Sequence, residues 1–86
     1  MANIKSAQKR ARQTVKRHEH NVALRSRLRT AIKKVVNAID AGEREAAETR
    51  YREAVPLIDR MTDKGIIHAN KAARHKHRLN KRIRSL

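Results

Sequence analysis

The sequence predicts an all-α fold: a small antiparallel three-helix bundle with a long, basic N-terminal helix projecting from it. Three observations lead there. Apolar residues recur at spacings of three and four along most of the 86 residues, which is the period of a helix face. The two glycines, Gly42 and Gly65, cut the chain into three such stretches. No stretch alternates apolar and polar residues as a half-buried strand does. At this length a single domain, 1–86, is the expectation.

The first stretch, about 4–40, holds neither Pro nor Gly. Ile4, Ala7, Ala11, Val15 and Val22 lie on one side of a helix, and Leu28, Ile32, Val35, Val36 and Ile39 continue the stripe. The early part is narrow and Ala-rich, ringed by Lys5, Lys9, Arg10, Arg12, Lys16 and Arg17. With so little apolar area to dock, it is expected to project, while the later part packs. Asp40-Ala41-Gly42 then ends the helix, Gly42 suiting the left-handed C-terminal cap.

The second stretch, about 43–63, opens on Glu43 and Glu45, whose charge suits the positive end of a helix. Ala47, Tyr51, Ala54, Ile58 and Met61 follow at alternating spacings of four and three, the mark of a helix packed in a bundle. Pro56 removes one backbone donor. Because the stripe stays in phase across it, a bend near Pro56 is favoured over two helices broken at Val55. Tyr51, the one aromatic residue, lies in the stripe, which favours a core role over stacking on a base.

The third stretch, about 68–85, follows Gly65. Ala69, Ala72, Leu79, Ile83 and Leu86 share one face, and Lys71, Arg74, Arg78 and Lys81 the opposite one. Gly65-Ile66-Ile67 is expected to turn the chain and seal the end of the bundle. His68 and His75, seven apart on one face, suit phosphate contact, capping of backbone groups, or plain exposure as polar side chains.

A net charge of +15 on so short a chain points to a polyanionic partner. The charge is divided. Residues 1–39 hold eleven Lys/Arg and one acid, Glu19; residues 40–63 hold four Arg and seven acids; residues 64–86 hold eight Lys/Arg and no acid. Two basic helices thus flank an acidic one, and their outer faces suit a grip on two nucleic-acid segments at once. Counterion release makes such binding strong and salt-sensitive, without sequence preference. Asn21, Ser26, Thr30, Asn70 and Asn80 can add hydrogen bonds to phosphates, 2′-hydroxyls or base edges. The lack of aromatic platforms disfavours single-strand stacking. Pattern alone does not separate RNA from DNA. A membrane surface is disfavoured by the absence of Trp and Phe.

Other chemistry is poorly supplied. There is no Cys, and hence no disulfide or thiolate. No apolar run approaches the roughly 20 residues of a membrane span, and the N-terminus lacks the apolar core of a secretory signal. His18/His20 and His75/His77 are spaced two apart, so each pair points to nearly opposite sides of a helix amid Lys and Arg. No metal site is expected from them. The carboxylates read as solvated intrahelical pairs, such as Glu48–Arg52. Without a Gly-rich phosphate loop or a nucleophile beside a base, the chain is expected to be no enzyme, with no cofactor and no small-molecule substrate.

Two stretches say more than their charge. Asn3-Ile4-Lys5-Ser6-Ala7 with Lys9-Arg10, then Asn21, Arg25-Ser26, Arg29-Thr30 and Ile32-Lys33-Lys34, resemble the bacterial small-subunit ribosomal protein number twenty family. So does Lys64-Gly65-Ile66-Ile67-His68-Ala69-Asn70-Lys71-Ala72-Ala73-Arg74-His75-Lys76. The resemblance runs the length of the chain. Gln8 departs from it where a basic residue is common, and His77 where Ser is common. It implies a three-helix structural protein of the cytoplasm, on the small ribosomal subunit. It implies direct binding to 16S ribosomal RNA early in 30S assembly, at the 5′ domain and the long penultimate stem of the 3′ minor domain. It implies RNA contacts at Lys5, Lys9, Arg10, Asn21, Arg25, Arg29, Lys33 and Lys34 on the first helix. On the third it implies them at His68, Asn70, Lys71, Arg74 and Lys76. No homo-oligomer is expected.

Overall fold

In the computed structural model, which describes residues 2–86, three helices follow in order: α1 (Ala2–Asp40), α2 (Arg44–Asp63) and α3 (Ala69–Arg84). Met1 and the side chains of Ala2 and Asn3, the last belonging to the N-terminal motif, lie outside the described residues. Among the described residues there is no strand, and no helix is long and apolar enough to cross a membrane.

Both glycines end a helix in the same way. Each takes a left-handed backbone, with φ of 72° at Gly42 and 73° at Gly65. The Gly42 N–H donates to the Ile39 carbonyl, and the Glu43 N–H to the Ala38 carbonyl. Likewise the Gly65 N–H donates to Thr62, and the Ile66 N–H to Met61. This crossed pair satisfies carbonyls that a helix end otherwise leaves free. At the second turn it also brings Ile66 back onto the core around Met61. A methyl group added at Gly65 meets nothing within 4 Å, so only the left-handed conformation opposes it. Gly65→Ala is therefore expected to cost about 1–2 kcal/mol in a thermal melt.

The core has two layers, each fed by all three helices. One joins Leu24 and Leu28 of α1, Ile58 and Met61 of α2, and Ala72 of α3, closed by Ile66 and Ile67. The other, the lower layer, joins Val35, Ala38 and Ile39 to Ala47 and Ala54, and to Leu79 and Ile83. The start of α2 thus lies beside the ends of α1 and α3, and its end beside the start of α3, so the chain runs up, down and up. The Arg82 guanidinium donates to Asp40 at 2.8 Å, joining the last turns of α1 and α3. This exposed pair contributes little, about 0–1 kcal/mol.

Five apolar assignments shift. Leu24 and Ala38 are buried, whereas Val22 is 48% exposed. Leu24 stands four residues before Leu28 and takes the core-facing row, while Val22 lies on the flank. Ala69 is exposed because it begins α3 outside the layers, and Leu86 is exposed because it lies past the helix end. His68 precedes α3 and caps it: its Nδ1 accepts the Asn70 N–H at 3.0 Å. α2 runs unbroken through Pro56, so the split at Val55 does not occur. Tyr51 is half-buried against the lower layer, and its hydroxyl donates to the Lys76 carbonyl at 3.3 Å. That places it among core contacts and not on an open stacking face.

The first half of α1 stands clear of the bundle. Residues 4–20 are all exposed. The molecule measures 64 × 21 × 15 Å with a radius of gyration of 17.6 Å. A compact chain of this length has about 12 Å, so the excess is the projecting arm. The arm projects because its core-facing row stops being apolar: beyond Leu24 that row carries Asn21, Arg17, Thr14 and Arg10.

Candidate nucleic-acid interface

The ion pairs decide which cations are free. Arg44 pairs with Glu48, Arg50 with Glu53, Lys76 with Asp59 and Arg82 with Asp40. All four pairs draw their cations from α2 and α3. Among the described residues no Lys or Arg of α1 is neutralised by an ion pair. The expected Glu48–Arg52 pair does not form through the carboxylate: Glu48 turns to Arg44, and Arg52 Nε donates to the Glu48 backbone carbonyl at 3.4 Å.

The predicted contact residues fall into two regions. Lys5, Lys9 and Arg10 are exposed on the arm. Arg25, Arg29 and Lys71 meet at the seam of α1 and α3, the two helices in thinnest contact with each other. Lys9 and Arg25 are about 24 Å apart along the helix, at 1.5 Å per residue. The sequence reading treats the faces of the first and third helices as separate. In the fold, Arg25, Arg29, Lys71 and His75 line one cleft of about 410 Å³, whose floor is Leu28, Ile32, Ile66 and Ile67.

Other residues sit elsewhere. Lys34 lines a second cleft of about 440 Å³, between α1 and α2, with Ser26, Arg27, Thr30 and Arg50. Lys33 and Arg74 are exposed, and Asn21 is half-buried at the base of the arm. Asn70 is exposed beside the positive end of α3, whose first turn has no acid. His68 spends Nδ1 on the cap, leaving Nε2 as its donor. Lys76 differs from the rest: it is half-buried and its ammonium is held by Asp59 of α2. Arg27 and Arg78 were not singled out as contacts, yet they border the second cleft and the lower α1–α3 seam. The only signal in the sequence is spacing, since Arg27 and Lys34 stand seven apart and share a face.

His75 is half-buried at the rim of the first cleft. Burial, followed by the charges of Lys71, Arg78 and Arg74, holds its imidazole below the ordinary 6.5. Arg25 and Arg29 line the same cleft from α1. The unfolded chain therefore binds this proton more readily than the folded one. Stability from this group is complete above pH 6.5 and is lost as pH falls from there through the depressed folded value. The melting temperature is expected to drop as pH falls below 6.5, with His75→Gln flattening that slope. An unchanged slope in the variant places the proton uptake elsewhere.

Comparison with known proteins finds relatives along the whole chain. The family model described as Ribosomal protein S20 matches residues 2–84. A protein of Alkalilimnicola ehrlichii named small ribosomal subunit protein bS20 is 62% identical over 86 residues, covering 100% of this chain and 98% of its own. Proteins of the same name from Azotobacter vinelandii and Teredinibacter turnerae are each 63% identical over 86 residues; they are matched over 94% and 98% of their lengths. The full-length match, on a three-helix fold with an unneutralised basic arm, means that the chain belongs to the ribosomal protein S20 family.

Proposed function

We propose that this chain binds 16S ribosomal RNA directly and bridges two of its segments during assembly of the 30S subunit. As a member of its family it is a structural constituent of the small ribosomal subunit, located on that subunit in the cytoplasm, and not an enzyme. The observation that carries the direct-binding reading is the unneutralised cation set of α1: eleven Lys/Arg on one helix, none in an ion pair among the described residues. Such a set gains from counterion release wherever phosphates meet it.

Bridging follows from the separation of the two regions. The arm presents Lys5, Lys9 and Arg10. The bundle presents Arg25, Arg29 and Lys71 at the seam, and His68, Asn70, Arg74, Lys33, Lys34 and Asn21 at other points of its surface. Two surfaces about 24 Å apart suit two RNA segments better than one. The 5′ domain and the long stem of the 3′ minor domain are the segments the family resemblance names. Lys76 ties α3 to α2 through its pair with Asp59 more than it contacts RNA.

Competition decides between this reading and a generic polyanion binder. Labelled 16S ribosomal RNA bound to the chain at physiological salt is challenged with double-stranded DNA at equal phosphate. DNA is expected to compete poorly. Equal competition assigns the basic surface to charge alone and overturns the RNA reading.

A further inference from the structure

The cleft between α1 and α3 has a composition that phosphate binding alone does not require. Its floor is apolar, made by Leu28, Ile32, Ile66 and Ile67. These residues close the upper core layer, yet Ile32, Ile66 and Ile67 remain only half-buried. The rim carries Arg25, Arg29, Lys71 and His75. A surface that only follows a phosphate backbone has no use for an open apolar floor, whereas a nucleobase has apolar faces and a polar edge. We infer that this cleft receives one unstacked nucleotide of the bound RNA, its base against the isoleucine floor and its phosphate on the cationic rim. The inference rests on the RNA-binding reading above and narrows it to a site.

The dimensions and the chemistry agree. About 410 Å³ falls within the roughly 300–1,000 Å³ of small-ligand clefts. Proteins that read RNA by sequence commonly take bases out of bulges and loops and stack them on aromatic rings or on arginine planes. No Phe, Tyr or Trp lines this cleft, but Arg25 and Arg29 stand four apart on one face of α1. Their flat guanidinium groups can cover a base and hold a phosphate with the same side chains. His75 disfavours the charged form, so it offers a neutral ring with one donor and one acceptor for a base edge. Of the four ion pairs among the described residues, none involves a residue of this rim.

The test uses the full chain with its isoleucine and leucine methyl groups isotopically labelled. Three RNA hairpins of one sequence serve as probes: one with a single-nucleotide bulge, one with an abasic ribose at the bulge, and one fully paired. The bulged hairpin is expected to bind about tenfold more tightly than the abasic one. The salt dependence of the two should match, because their phosphates are the same. Methyl signals of Leu28, Ile32, Ile66 and Ile67 are expected to shift with the bulged hairpin and not with the abasic one. Equal affinity for all three hairpins overturns the inference while RNA binding stands. So does a base-dependent gain that leaves those methyl signals unmoved. Failure to bind any hairpin removes the inference together with the RNA-binding reading beneath it.

Discussion

Ile58→Ala is expected to destabilise the protein by about 2–5 kcal/mol. Ile58 is fully buried, and its layer joins α1, α2 and α3 in one cluster with Leu24, Leu28, Met61 and Ala72. Truncation removes three carbons from the one place where the base of the arm and the start of α3 are both held to α2. Small domains have only about 5–15 kcal/mol to lose, and a chain with one thin core has little in reserve. At about 4–8 °C per kcal/mol, the melting temperature should fall by at least about 8 °C. Val22→Ala is the matched control. Val22 is 48% exposed on the flank of the arm, and its truncation should change stability by no more than about 0.5 kcal/mol. Thermal melts followed by circular dichroism compare the two directly. Similar shifts in both variants place the boundary between arm and bundle incorrectly.

The second large effect concerns affinity. Replacing Arg25, Arg29 and Lys71 with Gln together should lower the salt slope of RNA binding by about two to three units. Each removed cation leaves one phosphate with its counterion, at roughly 0.7–0.9 of a unit. These three residues share one cleft and make no ion pair among the described residues. Their removal therefore leaves the fold's own ion pairs in place. Filter binding across a salt series gives the slope, and a melt of the same variant verifies that the bundle is retained. Lys76→Gln should behave differently. Its ammonium faces Asp59, so the salt slope should stay unchanged instead of falling by the roughly 0.7–0.9 of a unit that a phosphate-bound cation contributes.

The helices and their order were legible in the sequence because their signals are local. A three-four apolar stripe and a glycine at the end of each of the first two helices are settled within a few residues, and Gly42 and Gly65 both adopt the left-handed form. The projecting arm was legible for the same reason: the large apolar side chains thin out before Leu24. What the sequence hid depends on which neighbour reaches each position. Val22 and Leu24 are both apolar and two apart, and only the docking of α2 and α3 makes Leu24 the core residue. Ala69 and Leu86 fit the α3 stripe by spacing but lie beyond the layers that cover it.

The same limit applies to the candidate site. Lys76 reads as one more basic residue until Asp59 is placed beside it, seventeen positions earlier in the chain. Arg25, Arg29 and Lys71 read as two faces until the thin contact between α1 and α3 joins them into one. The apolar floor beneath them draws Ile32 from α1 and Ile66 and Ile67 from the turn after α2. No periodicity within one segment announces that meeting.

Direct bridging of two RNA segments is the central claim, and hydroxyl-radical footprinting of 16S ribosomal RNA tests it most directly. The purified chain is added alone to the otherwise protein-free RNA. The expected result is two protected regions far apart in the RNA sequence, one in the 5′ domain and one in the 3′ minor domain stem. Lys5, Lys9 and Arg10 changed to Gln should remove one set, and Arg25, Arg29 and Lys71 changed to Gln the other. A single contiguous protected patch, or no protection without other ribosomal proteins, contradicts it.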